Sequence, residues 1–350
     1  MIHNLALLIT DTHLSEDTID LNRSIWDQAI KVCIERGLKK IYHLGDVFDS
    51  RKSQTQELLI VLDELLDKVS QSGLEIIIIP GNHDKTSYTS SKSFLYTYRF
   101  HPNVTIVENF YSETSLSNPL LSPNMIIMFY PFFDEKSGEY GNRVKANNLV
   151  SKLSDYKQKL LLTHIGVDRA IMNSREQISE HLDSGVFDEF DRVYIGHYHD
   201  YQELNSGKIV YIGSSYQGNF GENNKKGFQI LKSDGSLEFI QSSFPEYKKI
   251  VIDINSSTKE ELVELKKEYQ NSSDRVRFIF KGDREKLSTV DKNDYTSLGI
   301  DVKMEESVVE ILDYTQQVTT FTQESIKEEW NEFTKNDREN HDLGLKYLNN

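Results

Sequence analysis

The chain has 350 residues, 37% of them hydrophobic, which suffices for a full core and, on length, for one large domain with something smaller beside it. No apolar run approaches the roughly 20 residues that cross a bilayer, so no membrane partner is expected, and the single cysteine, Cys33, excludes an internal disulfide and suits the cytoplasm. A formal net charge of −15 argues against a protein that grips nucleic acid through its own overall field, while leaving room for metal ions, local basic patches or a basic partner.

The opening MIHNLALLITDTH carries no basic run and no small-residue cleavage site, so it reads as a first strand (5–10) and not as a signal peptide. An amphipathic helix follows at about 20–36, with Cys33 as a small core residue. Next come a strand at 40–45, a helix at about 54–72 and EIIIIP at 75–80, which is apolar on both faces, as a strand covered on both sides should be. Further strands are expected at 104–107, 125–131, 159–164, 192–197, 208–213, 228–231 and 237–240, and helices at about 143–155 and 175–183. Strands alternating with helices predict an α/β fold with crossover units and a largely parallel sheet; the later, closely spaced strands predict antiparallel additions. Near 242–249 the texture changes. A strand (249–254), a helix (258–270), a strand (275–281) and a last strand (300–304) outline a small α/β unit. Beyond about 306 the chain is acidic and polar, with helical patterns around 323–335 and 337–348 and an apolar stripe of Phe321, Ile326, Trp330 and Phe333. The glycine-rich GSSYQGNFGENNKKG matches no phosphate-cradle spacing.

Chemistry gathers at the strand ends. Asp11 and His13 follow the first strand, Asp46 and Asp49 the second, and Asn82, His83 and Asp84 the third. His164 ends another, and His197 and His199 follow the strand at 192–197. In open α/β sheets ligands bind outside the carboxyl ends of the strands. In D-x-H and H-x-H, residues i and i+2 point the same way from an extended chain, so both can reach one ion. Glycines ahead of Asp46, Asn82 and His197 permit sharp exits and close backbone approach. Taken singly, such an aspartate more often caps a helix and such a histidine is more often simply packed. Taken together, five of the ten histidines sit at strand ends of one polarity. Carboxylates mixed with imidazoles suit Mn²⁺, Fe²⁺ or Zn²⁺. The donors outnumber the needs of one ion and suit two, about 3.5–4 Å apart, the arrangement used for in-line displacement at phosphorus. His3, His43, His101, His181 and His341 lack such company and read as structural or surface residues.

The ordered set D-x-H, G-D-x-x-D, G-N-H-D, H and G-H-x-H resembles the calcineurin-like metallophosphoesterase superfamily over residues 5 to about 200. The following Gly213-Ser214, Phe220-Gly221-Glu222 and Lys226-Gly227 are similar to the segment after the last metal histidines in SbcD-type DNA-repair nucleases, and the compact chain is most similar to their phage and bacterial branch. That resemblance implies a two-layered β-sheet fold flanked by helices for 1–245, a small α/β capping domain at 246–305, and a helical partner-binding tail at 306–350. It implies one metal on Asp11, His13, Asp46 and His199, and a second on Asp46, Asn82, His164 and His197. It makes His83 a proton donor to the leaving oxygen, with Asp84 orienting it. The implied cofactors are two divalent ions, Mn²⁺ first and Mg²⁺ second. The implied partners are DNA, an SbcC-type ABC ATPase and a second copy of the chain, paired through segments around 54–72 and 91–100. Asp49 stands where archaeal and eukaryotic members usually carry histidine, and is read as tuning the first site from behind or as a helix cap. The same core motifs also serve hydrolases of small phosphoesters or phosphoproteins, so the second domain and tail are what favour DNA. A scaffold that had lost catalysis would show gaps in the ligand set, and none of the seven positions is missing.

Overall fold

A computed structural model describes residues 2–133, 153, 155–173, 182–306 and 330. Two six-stranded sheets face each other. The first runs in the order β12 (Leu237–Gln241), β11 (Gly227–Lys232), β1 (Asn4–Ile9), β2 (Lys40–His43), β3 (Glu75–Ile78), β4 (Val104–Ile106). The second runs β5 (Tyr111–Glu113), β6 (Met125–Tyr130), β7 (Gln158–His164), β8 (Arg192–Gly196), β10 (Ile209–Tyr211), β9 (Gln202–Leu204). Strands β1 to β4 are mutually parallel, as are β6, β7, β8 and β10. The antiparallel strands β12, β5 and β9 stand at sheet edges, with β11 antiparallel between β12 and β1.

Alternation along the strands explains the layering. Leu7 and Ile9 of β1 face a core shared with α1 (Ile19–Arg36) and α2 (Gln56–Gln71), while Ala6 and Leu8 face the seam between the sheets. The same split divides the isoleucine run. Ile76 and Ile78 pack toward the helices, and Ile77 and Ile79 pack into the seam against residues such as Leu162 and Tyr194 of the second sheet. A strand with apolar neighbours on both sides has no polar face to show, hence four isoleucines in succession. A third cluster covers the outer face of the second sheet.

The parallel strands are divided between two stacked sheets, the two-layered arrangement that the family resemblance implied, where strand alternation alone read one largely parallel sheet. One expectation about the strands needs correction. The late strand β10 was expected to add in antiparallel fashion, yet it pairs parallel to β8, because β9 turns back between them and takes the hairpin position. The three-residue strands β5 and β9, short and only partly apolar, were not expected at all.

A separate three-stranded parallel sheet follows, in the order β13 (Tyr247–Asp253), β14 (Arg275–Gly282), β15 (Asp301–Glu306). Helix α3 (Lys259–Tyr269) crosses between β13 and β14, capped by Thr258 and Glu261 in a reciprocal box. Its own core gathers Ile252, Val276, Phe278, Phe280, Leu287, Tyr295 and Ile300. The small sheet touches the large unit through Phe220, whose ring meets Tyr247 edge-on at 4.9 Å and lies 4.0 Å under the Arg277 guanidinium. The helical patterns around 143–155, 175–183, 323–335 and 337–348, the tail from 307 and its stripe fall outside the described residues apart from single positions, as do His181 and His341.

Candidate metal centre

The cavity opens where the carboxyl ends of β1, β2, β3, β7 and β8 meet. It measures about 1020 Å³ and is lined by Asp11, His13, Asp46, Asp49, His83, His197 and His199, with Tyr247, Ser273 and Arg275 contributed by the small sheet. The loops after β1 and β2 are zipped together by backbone bonds, Asp11 N–H to the Gly45 carbonyl at 3.0 Å and His13 N–H to the Asp46 carbonyl at 3.1 Å. Donor atoms of Asp11, His13 and His199 lie within 4.8 Å of one another, and so do those of Asp46, His164 and His197. Asn82 joins the second group with Oδ1 3.0 Å from His164 Nε2.

Holding these groups together strains the chain. Asp11, His13, Asp46 and His197 have φ values of 52°, 40°, 53° and 90°, a left-handed region that non-glycine residues rarely enter. Each such residue costs about 1–3 kcal/mol, a cost sustained where function fixes the geometry. Two glycines are needed for closeness. A Cβ on Gly81 would run into the Asp46 carboxylate and backbone nitrogen, and one on Gly196 would meet Thr10 Oγ1 and the Leu44 carbonyl.

Each ring and carboxylate is then held from behind. His164 Nδ1 bonds the Leu44 carbonyl at 2.7 Å, leaving Nε2 toward Asp46 Oδ2 at 3.3 Å. Asp11 takes the Thr10 hydroxyl at 2.7 Å and the His197 N–H at 2.9 Å. Asp46 takes the His83 N–H at 2.8 Å. His199 Nδ1 meets Glu222 Oε1 at 2.9 Å. The Nε2 atoms of His13 and His199 face each other at 3.1 Å.

Electrostatics follows the donors. Burial lowers the His13 pKa, but its contact with Asp49 and the charges of Asp46 and Asp11 outweigh it and carry the group up to about 9. His164 likewise reaches about 9, with Asp46 overcoming burial. His197 is held well below its ordinary value by burial and by the His164 charge. Asp46 is driven well down by His164 against the pull of burial. Protons on His13 and His164 thus balance carboxylates that a cation would otherwise balance. Oxygen and nitrogen donors without a thiolate, converging from five strand ends, fit Mn²⁺, Fe²⁺, Zn²⁺ or Mg²⁺. His13 Nδ1 faces the Asp49 carboxylate at 3.4 Å, which leaves Nε2 as the nitrogen turned toward Asp11 and His199.

Two expected roles change. Asp84 does not orient the His83 ring. Its fully buried carboxylate accepts the N–H groups of Gly81 at 2.8 Å, Phe48 at 3.0 Å and Val47 at 3.3 Å, and so pins the two loops that carry Asp46 and Asn82. Burial and the nearby Asp46 charge push its pKa up. The His83 ring instead rests with Nδ1 on the Asp49 carbonyl. Asp49 caps no helix, since Thr55 caps α2; its carboxylate lies 3.4 Å from His13 Nδ1. Sequence reasoning assigned no role to Asn173, which accepts the His199 N–H at 2.9 Å, and no local pattern marks it. It also gave none to Glu222 and Lys226, although both fall in the F-G-E and K-G segments that carry the nuclease resemblance.

A family model described as calcineurin-like phosphoesterase matches residues 6–201. The chain is similar to the DNA double-strand break repair protein Mre11 of Methanocaldococcus jannaschii, 23% identical over 242 residues that cover 65% of this chain and 62% of that protein. It is also similar to the SbcD component of the SbcCD nuclease of Staphylococcus saprophyticus, 26% identical over 211 residues that cover 54% of this chain and 53% of that protein. The chain therefore spans less than two thirds of the length of either relative. Among solved structures it is similar to a dimetal phosphatase from Danio rerio, 12% identical with a TM-score of 0.44, covering 64% of this chain and 90% of that one.

Proposed function

This chain belongs to the calcineurin-like phosphoesterase family, and from that premise we propose that it is a two-metal DNA nuclease of repair or recombination, working with an SbcC-type ABC ATPase. One observation carries the reading: Asp11, His13, Asp46, His197 and His199 line one cavity with His83 and the small sheet, and His164 stands 3.3 Å from Asp46 and 3.0 Å from Asn82 Oδ1. The relatives named as a break-repair protein and a nuclease component support DNA as the substrate.

Asp11, His13, Asp46 and His199 would hold one divalent ion, and Asp46, Asn82, His164 and His197 the other, with Mn²⁺ ahead of Mg²⁺. Such ions supply Lewis-acid charge to the phosphodiester when bound. His83 does the proton work. Its Nδ1 proton is accepted by the Asp49 carbonyl, so it is the imidazolium form that carries a second proton on Nε2, hands it to the departing 3′ oxygen and is left as the neutral ring. Residues 246–305 form the cap, and Arg275 gives this acidic chain a local cation for the strand it positions. The ATPase contributes the rest of the grip, reached through the 306–350 tail. A second copy pairs through the faces at 54–72 and 91–100, where Ile60 and Phe100 are 50% and 80% exposed. The working compartment is the cytoplasm.

The test uses the full chain on linear duplex DNA and on a chromogenic phosphodiester, with Mn²⁺ and with Mg²⁺. Metal-dependent DNA cleavage is expected. The variant His83→Ala should keep its metal by elemental analysis and lose about 10²–10⁴-fold in rate. Cleavage at the wild-type rate would remove His83 from the mechanism. Turnover of the small diester without any DNA cleavage, with or without the ATPase, would remove DNA as the substrate.

A further inference from the structure

We propose that Glu222 is a positioning residue of the metal centre: it accepts the Nδ1 proton of His199 and so turns Nε2 of that ring toward the ion. The inference rests on the reading of the cavity as a metal site. Histidine has two competent ring nitrogens, and the one left to a metal is decided by what the other one bonds. For His164 the decision is made by a backbone carbonyl, at 2.7 Å. For His199 it is made by a carboxylate, 23 residues further along the chain and 2.9 Å away.

Glu222 is itself fixed on every side. Its oxygens accept from Asn219 Nδ2 at 2.8 Å, from the Gly218 N–H at 3.1 Å and from Lys226 Nζ at 2.9 Å. Lys226 has a side chain with no exposure at all, and its ammonium also meets Asp200 at 2.9 Å and the His199 carbonyl at 2.5 Å. A fully buried lysine is costly unless paired. Here its contacts go to the carboxylate behind His199, to the backbone of His199 and to the next residue. The assembly therefore grips one histidine from its ring and from its main chain. A purely structural ion pair would need no contact with that ring.

The test is calorimetric titration of Mn²⁺ into the full-length protein, beside thermal unfolding without metal. The wild type should bind two ions. In Glu222→Ala one of them should weaken by about 10–100-fold while the other is unchanged. Glu222→Gln, whose amide oxygen can still accept from Nδ1, should recover most of that loss. Wild-type affinity at both sites in folded Glu222→Ala overturns the positioning role and leaves the metal centre standing. No Mn²⁺ binding by the wild type overturns the metal centre itself. If Glu222→Ala does not fold, ring ¹⁵N shifts of His199 in the Zn²⁺-loaded wild type decide. A proton on Nδ1 supports the proposal, and a proton on Nε2 sinks it.

Discussion

His164 of the second sheet lies 3.3 Å from Asp46 of the first, so the two sheets meet at the floor of the cavity through an imidazole and a carboxylate. Asp46 also takes the His83 N–H and lies between the two groups of donors. Replacing Asp46 with asparagine keeps the shape and removes the charge. Neither cation should then be retained, and cleavage should fall by more than the about 10–100-fold that loss of an outer partner costs. Elemental analysis after dialysis checks it; two retained ions would show that Asp46 bridges nothing.

Gly81→Ala should damage the site without touching a donor. The added methyl meets the Asp46 carboxylate and nitrogen, so one loop must move away from the other. A destabilisation of about 1–3 kcal/mol, the usual cost of overpacking, is expected from denaturant unfolding. Weakened Mn²⁺ binding should accompany it. Full metal affinity at unchanged stability would mean that the loops have slack that the distances deny.

Metal binding should expel protons. In the metal-free chain His13 and His164 keep theirs up to about pH 9, and a cation requires both neutral. Calorimetry at pH 7.5 in buffers of different ionisation enthalpy should therefore report release of roughly two protons. Affinity should rise with pH until about 9. The sign reverses for the metal-free fold. Raised histidine values add stability that is complete below 6.5, their unfolded value, and is lost as pH climbs through about 9. Stability that rises across that window would contradict the protonated pair.

Cys33 should be inert in the native state. It is fully buried on the inner face of α1, and burial pushes its thiol up to about 12. A thiol reagent at pH 8 should label it only as fast as the chain opens, so labelling becomes a gauge of unfolding. Fast labelling of the folded protein would place Cys33 elsewhere.

The strand ends were legible because the signals there are local. An apolar run, a glycine and a polar cluster sit within a few residues, and β1, β2, β3, β7 and β8 carry most or all of these. The division into two sheets was legible only through the family resemblance, since each of β3 and β7 is apolar on both faces whichever neighbour covers it. Strands β5 and β9 escaped because three partly apolar residues carry no period. The correction at Asp84 has the same root. Its partners are backbone N–H groups of Gly81, Val47 and Phe48, two of them more than 30 residues away, and a backbone group leaves no mark in a sequence. Glu222 lay inside a recognised segment, yet its contact with His199 spans a fold and not a motif.

The donors enter the chain between residue 11 and residue 199, and the floor they share exists only once both sheets have docked. A ribosome making this chain must therefore pass residue 199 before the donor set is complete. Every partial product before that point lacks His199, the last of the donors. The centre of this phosphoesterase is thereby completed late in synthesis, by topology alone.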